Sequence, residues 1–396
     1  MKGPHAAGEA CLERQAGPPL GITKKGGDAV QIVPEGTPFP TPEGRILFDI
    51  NDFDETLPGV DFTVDLKRLA ASVAVAAKAA HMSGKQARSF AASTVTDYRE
   101  HMFALRELSP SEIWHSKIDL QHELTQIESP GLRRSLSTLI RNAQARGLDR
   151  DDNFPHLVTA GEPRIADKPP KIFHISPKTL GGRKIDFDRG FALYRETLTP
   201  DRTVLLDRYR LTDVAFKAVG VGSVGTICVV GLFLSGDGEP LFLQVKQAQR
   251  SVLERLSEKL VYQGPQGRRV VEGQRMMQAA TDILLGWTSD EPIGVEFYVR
   301  ILKNRRLGAV SELAEQAALS EYARLCGRTL ARSHSRTGED PDHPLIQVRP
   351  RRLAVMVSSP RISASSGMTR RMMCNERRLP RHQVGVRAVM TVAATR

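Results

Sequence analysis

Apolar residues recur at helical spacing in the first part of the chain and alternate as in strands further on. Leu66, Leu69, Val73, Ala76 and Ala80 form one stripe. Ala91, Val95, Tyr98, Met102 and Leu105 form a second, with Ser83 placed to cap it. Leu132, Leu136, Leu139, Ile140 and Ala143 form a third, opened by Ser129-Pro130 and closed by Gly147. Residues three and four apart share a helix face, so each stripe predicts a helix with one buried side. A shorter apolar run, Arg45 to Ile50, reads as a strand, and it ends in an acidic cluster of Asp49, Asn51, Asp52, Asp54 and Glu55. Between 148 and 188, Pro155, Pro163, Pro169, Pro170 and Pro177 break any period, and the stretch reads as a long connection. Arg189 to Thr197 reads as helix again.

From Asp213 onward the pattern is that of strands. Val214, Phe216 and Val219 lead into a glycine-rich turn. Ile227 to Leu234 is a β-branched and aromatic run, Ser235-Gly236-Asp237-Gly238 is turn chemistry, and Leu241 to Val245 makes a third strand with Lys246 at its end. Residues 269–280 predict a helix, Val295 to Ile301 a further strand, and a last helix runs from about Leu313 to Arg332, followed by His334. The fold class expected is α+β, an antiparallel sheet with a glycine loop plus a helical lobe. The expected units are a disordered segment 1–37, a mainly helical lobe 38–147 carrying the acidic strand end, the connection 148–188, the glycine-rich sheet and helices 189–340, and a basic disordered tail 341–396.

Composition changes this picture in one respect. The formal charge of +11 suggests an anionic partner, but from Leu345 to Arg396 there are eleven arginines, no lysine and one acid, Glu376, so this stretch carries +10 of it. The body of the chain is near neutral, and the basic balance belongs to the tail. Cys11, Cys228, Cys326 and Cys374 have no CxxC or zinc spacing. Cys228 falls in a predicted strand, where a thiol behaves as a small buried hydrophobe. This usage, with a first segment lacking an apolar signal core and no run long enough to span a bilayer, leads to the expectation of a cytoplasmic protein without membrane contact.

The candidate chemistry lies in two places. Gly220, Gly222 and Gly225, with Ser223 between them, form GxGxxG, and glycines let backbone N–H groups approach phosphate oxygens. Thr226-Ile227-Cys228 starts a strand and not the helix of a dinucleotide fold. A glycine hairpin followed by a lysine-bearing strand is the kinase arrangement, with ATP and Mg²⁺ as the implied ligands. Lys246 then needs a carboxylate partner on the following helix; Glu272 is the candidate, with Glu254 and Glu258 as alternatives. The bland reading is a tight hairpin beside a solvated lysine. Carboxylates at a strand end suit a hard cation such as Mg²⁺; the competing reading is an acidic turn capping a helix. Ile50-Asn51-Asp52-Phe53-Asp54 resembles the metal-binding strand end of aminoglycoside-type phosphotransferases, and that resemblance makes Asp52, then Asp54, the candidate metal ligands and casts Asp65 as a supporting aspartate.

Several blocks, GVGSVGT, PLFLQVKQAQRSVLE, RRVVEGQRMMQAATDILLGWT, FYVRILK, YARLCGRTLARSHSRTG and FDINDFDETLPG…DLKRLAAS, closely resemble a bacterial family catalogued as domain of unknown function 2252, over roughly residues 38 to 340. The resemblance carries no biochemical function with it. It implies a GDAHxxN-like segment before the block that starts near Phe39, similar to a kinase catalytic loop. This chain has ITKKGGDAVQIVPEGTPFP there, and Gly27-Asp28-Ala29 is only a fragment of the pattern. The metal-like aspartates also precede the glycine loop, the reverse of the kinase order, so a kinase-like fold here is circularly permuted. Both ends read either as frame-shifted or degenerate sequence or as a basic extension. The functional expectation is a kinase-like ATP/Mg-binding scaffold impaired in catalysis. The alternatives are a non-catalytic nucleotide-binding module and nonspecific nucleic-acid binding through the arginine-rich tail, which has no aromatics to stack on bases.

Overall fold

The computed structural model describes residues 46–144, 154–158, 161–174, 185–218, 226–290, 293–302 and 316–337, with two-residue strand segments at 30–31, 39–40, 179–180, 183–184 and 393–394. Gly220, Gly222, Ser223 and Gly225 lie outside the described residues, as does Asp28, and so does nearly all of both terminal segments.

A short strand β1 (Ile46–Leu47) leads through the acidic loop into α1 (Thr63–Ala79) and α2 (Gly84–Arg106). Ser83 caps α2 as expected: its hydroxyl accepts from the Gln86 N–H, and the Gln86 side chain returns to the Ser83 N–H. The same capping box, Ser109 with Glu112, opens α3 (Pro110–His115) behind a proline in the first turn. Two further helices, α4 (Leu120–Gln126) and α5 (Pro130–Gln144), complete the N-terminal helical layer.

The Pro-rich stretch contains more than bare connection. Leu157–Val158 pairs antiparallel with Arg164–Ile165, and β2 (Ile172–Phe173) joins the main sheet at its edge. After α6 (Phe187–Glu196) and α7 (Pro200–Leu206) come β3 (Tyr209–Lys217), β4 (Cys228–Ser235) and β5 (Pro240–Gln247), then α8 (Gln266–Met277), β6 (Gly286–Asp290), β7 (Val295–Ile301) and α9 (Gln316–Ser335). The six strands lie in the order β6-β7-β5-β4-β3-β2, and every pair is antiparallel. The α+β class is thus observed.

The order of the chain is not the order of the packing. α9, from the C-terminal part, packs on α2 and α1, and Gly327 permits this: a Cβ there would sit 2.9 Å from the Thr94 carbonyl oxygen. One apolar core runs through both parts. It joins Ile46, Phe48 and Ile50, Leu66, Leu69 and Val73 of α1, Val270, Val271 and Met277 of α8, Tyr298 of β7, and Leu319 and Leu330 of α9. Among the described residues no helix is long and apolar enough to cross a membrane.

Candidate functional site

The register of the sheet sets the site. Cys228 of β4 lies opposite Lys246 of β5, and Lys246 opposite Tyr298 of β7, so the three share a row and a face. Two residues along, Gln244 lies opposite Arg300. The Arg300 Nε–H donates to Gln244 Oε1 at 3.0 Å, and Gln244 Nε2 donates to Cys228 Sγ at 3.3 Å. The Lys246 ammonium and the Arg300 guanidinium stand 6.0 and 5.7 Å from the Tyr298 ring centroid, within reach of a cation–π interaction. Lys217, buried at the end of β3, adds a third cation close enough to act on Cys228. Burial nevertheless dominates and pushes the Cys228 thiol up, so it stays a protonated core group.

The acidic loop meets this row from the other side. The Lys246 ammonium pairs with Asp54 Oδ2, and the Tyr298 hydroxyl donates to Asp54 Oδ1 at 2.8 Å, although Lys246 and Asp54 are 192 residues apart in the chain. Asp52 lies in the same turn, its Oδ1 accepting the Asp54 N–H at 3.3 Å. Burial works to raise the Asp54 pKa. The Lys246 charge, the hydrogen bonds from Lys246 and Tyr298 and the Arg300 charge outweigh it and hold the carboxyl below the usual range. Burial, then the Asp54 charge, raise the Tyr298 hydroxyl well above the ordinary tyrosine value, so it remains a donor.

The loop is held in place by the helix that follows Lys246. Arg269 of α8, 1 % exposed, donates through Nη2 to the carbonyls of Asp54 at 2.9 Å and Gln249 at 2.8 Å, and through Nη1 to the carbonyl of Thr56. Its Nε–H is taken by Gln266 Oε1 at 2.7 Å. Ser251 Oγ donates to the Glu55 carbonyl at 2.9 Å, and the Val252 N–H donates to Glu55 Oε2 at 2.7 Å. Asp49, the first acid of the cluster, is buried and structural. It accepts the Ala279 N–H at 2.7 Å on one oxygen and the Arg332 guanidinium on the other.

The expected Lys246–Glu272 pair is not formed. Glu272 lies on the solvent side of α8, where Oε1 accepts from Arg268 Nε at 2.7 Å and Oε2 from the Tyr262 hydroxyl at 3.4 Å. Of the alternatives, Glu254 pairs with Arg250 at 2.8 Å and Glu258 is exposed. The reason is steric and electrostatic: Arg269, not a carboxylate, occupies the buried side of α8 that faces the loop, and Asp54 reaches Lys246 first. Asp65, cast as the supporting aspartate, is buried, and its Oδ2 lies 3.2 Å from His334 Nε2. His334 in turn is no surface group. It is 1 % exposed, with Nδ1 2.9 Å from the Tyr98 hydroxyl.

Sequence reasoning missed Tyr298, Arg269 and Arg300. Alternation in β7 places Tyr298 and Arg300 on one face, but only the register shows that this face is the one bearing Lys246. Arg269 reads as an ordinary helical charge until its burial is known. Among the described residues no group of three or more His, Cys, Asp or Glu side chains could hold a metal. The acids near Lys246 could supply only part of a coordination shell.

No curated protein and no solved structure matches this chain. The sequence does match, over residues 37–373, the family described as "Uncharacterized protein conserved in bacteria (DUF2252)". The match starts where the resemblance predicted and continues past the limit expected near Asp340, into the arginine-rich stretch. Because it covers most of the chain, the protein belongs to the DUF2252 family of bacterial proteins.

Proposed function

We propose that this protein is a kinase-like scaffold that binds Mg-ATP between the acidic loop and the face of the sheet bearing Lys246. One observation carries the reading: the lysine of the third strand and Asp54, one of the two carboxylates singled out at a distant strand end, meet in an ion pair. In protein kinases the lysine lies on the third strand, a helix follows it, and a metal-binding aspartate reaches the same phosphates. Here the succession β3, β4, β5, α8, β6, β7 has the lysine strand and the helix in those places. The aspartates precede it in the chain, which makes the scaffold a circularly permuted one.

Lys246, with Lys217 and Arg300 nearby, supplies positive charge for phosphate oxygens. Asp54 is held ionised by its surroundings, as a metal ligand must be, and Asp52 shares its turn. Two carboxylates suit Mg²⁺, which keeps waters and takes its remaining ligands from the phosphates. Binding then exchanges Lys246 from Asp54 to the nucleotide. The glycine turn 220–225 covers the phosphates in this reading.

Turnover is not part of the proposal. The acid of α8 that would orient the lysine, Glu272, is engaged by Arg268 and Tyr262, and Asp28 is the sole remnant of a catalytic loop. This favours a nucleotide-binding module without phosphotransfer. Calorimetric titration with ATP, with and without Mg²⁺, tests the binding. Wild type should bind in the presence of Mg²⁺, and Lys246→Ala should weaken binding by about tenfold or more through loss of a charged contact. Absence of any heat of binding in wild type would remove the reading. Phosphate release above background would show that the missing loop is replaced by another group.

A further inference from the structure

We propose that Arg68 of α1 grips the terminal phosphate of the bound nucleotide from the acidic-loop side, so that the site selects a nucleoside triphosphate over a diphosphate. The inference rests on the Mg-ATP reading of the site and adds to it a recognising residue and a rule of selection.

Arg68 is placed by the helix that the acidic loop leads into. α1 starts at Thr63, with Asp65 in its first turn. Arg68 stands three residues after Asp65, so the two share a side of the helix. Their depths differ. Asp65 is fully buried beside His334, Leu69 lies in the core, and Lys67 is exposed. Arg68 stands at the boundary, half-buried, with its stem along the protein surface and its charge at the far end. The carboxylates close enough to act on that charge are Asp65, Asp52 and Glu55, in that order. Asp52 also acts on Tyr298, whose hydroxyl donates to the same Asp54 that pairs with Lys246. Asp52 therefore stands between Arg68 and the row of the sheet that bears Lys246, and the guanidinium flanks the acids from the helix side.

The other arginines at the loop are committed. Arg269 spends its donors on Gln266 Oε1 and on the carbonyls of Asp54, Thr56 and Gln249, and Arg332 pairs with Asp49. Arg68 makes no hydrogen bond or ion pair among the described residues, and none of its nitrogens is sealed from solvent without a partner. Glu55, one of its three acidic neighbours, is already taken by the Val252 N–H.

The charge of the loop gives the guanidinium its use. Asp52 and Asp54 repel an approaching anion unless cations offset them. A divalent cation does so in part, and in phosphate sites it bridges the β- and γ-oxygens. Lys246 acts from the sheet. The end of the phosphate chain next to Asp52, away from the sheet, then needs a donor on the helix side. A guanidinium stays charged, and its planar fork takes two phosphate oxygens at once. A diphosphate lacks the group that this fork meets, so the contact separates the two nucleotides.

Calorimetric titration of the full chain with ATP and with ADP, each with Mg²⁺, is the test. Wild type should prefer ATP by about tenfold or more. Arg68→Gln, which keeps the stem, should weaken ATP by about tenfold and ADP by less than about twofold, so that the preference closes. A structural role for Arg68, as a counter-charge to the loop acids, would weaken both nucleotides alike, and that result overturns the proposal. Equal affinity of wild type for ATP and ADP overturns it too, and that measurement needs no variant to fold. Absence of binding by either nucleotide removes the Mg-ATP reading and this inference with it. Binding of ATP with its preference unchanged in Arg68→Gln removes this inference alone.

Discussion

Asp49 and Asp54 stand five residues apart on one loop, and each meets a cation from the distant part of the chain. Their surroundings give them different work. The Asp49–Arg332 pair is sealed, with side chains 0 % and 1 % exposed, and Arg332 Nε and Nη1 find no hydrogen-bond partner among the described residues. Removing one member leaves a buried charge uncompensated, so Asp49→Ala should cost about 3–5 kcal/mol in urea denaturation. The Asp54–Lys246 pair is more open, with the carboxylate 34 % exposed. Solvent screens it, and Asp54→Asn should change stability by less than about 1 kcal/mol while impairing Mg-ATP binding. A comparable loss of stability in both variants would mean that Asp54 serves the fold and not a ligand. Because the Asp54 pKa is lowered from 3.8, its contribution is present above that value and is lost as pH falls through the lowered one. At this scale the sequence singled out Lys246, Asp52 and Asp54 as charges at strand ends, and the structure pairs Lys246 with Asp54. The sequence could not separate Asp49 from them, since burial of one acid in a run of acids depends on Arg332, which lies 283 residues away.

The element that joins the two halves of the site is α8. It docks through glycines. A Cβ at Gly267 would lie 2.1 Å from the Phe297 carbonyl oxygen, and one at Gly273 would lie 2.5 Å from Thr56 in the acidic loop. Gly267→Ala must push the helix off a rigid strand and should destabilise by about 1–3 kcal/mol. Gly273→Ala pushes only on the loop, so nucleotide affinity should fall more than stability does; equal effects on both would argue against the loop as a ligand site. A second tie holds the segment before α6 against the sheet. His174 bridges Asp167 at 2.8 Å and Asp213 at 3.0 Å. Burial lowers its pKa, but the hydrogen bonds and charges of the two aspartates outweigh this and raise it above 6.5. The bridge therefore contributes fully below pH 6.5 and is lost as pH rises through the raised value. His174→Gln should flatten the fall in stability between neutral and mildly alkaline pH; an unchanged slope would exclude the bridge as its source. Elements with strong periods, such as α2 and β7, were legible within a few residues. β6, Gly-Trp-Thr-Ser-Asp, was not, because its faces pack against α8 and α6 through a glycine and small polar groups and show no alternation.

Across the whole molecule, the chain returns on itself. α9 packs with α1 and α2, and the acidic loop is clamped by Arg269, so residues from the first and last thirds complete one core and one site. The stripes and strands read from the sequence carry no sign of this return; it is seen in contacts such as the Asp54–Lys246 ion pair, which joins residues 192 apart.

Covalent labelling with an acyl-phosphate derivative of ATP addresses that lysine itself. The reagent acylates an amine held beside bound phosphates, and peptide mass spectrometry reads the position. The account predicts labelling at Lys246 that requires Mg²⁺, is suppressed by excess ATP and falls in Asp52→Ala and Asp54→Ala. Lys246 left unlabelled, or labelled equally with and without competing ATP, would contradict a phosphate site on this face of the sheet.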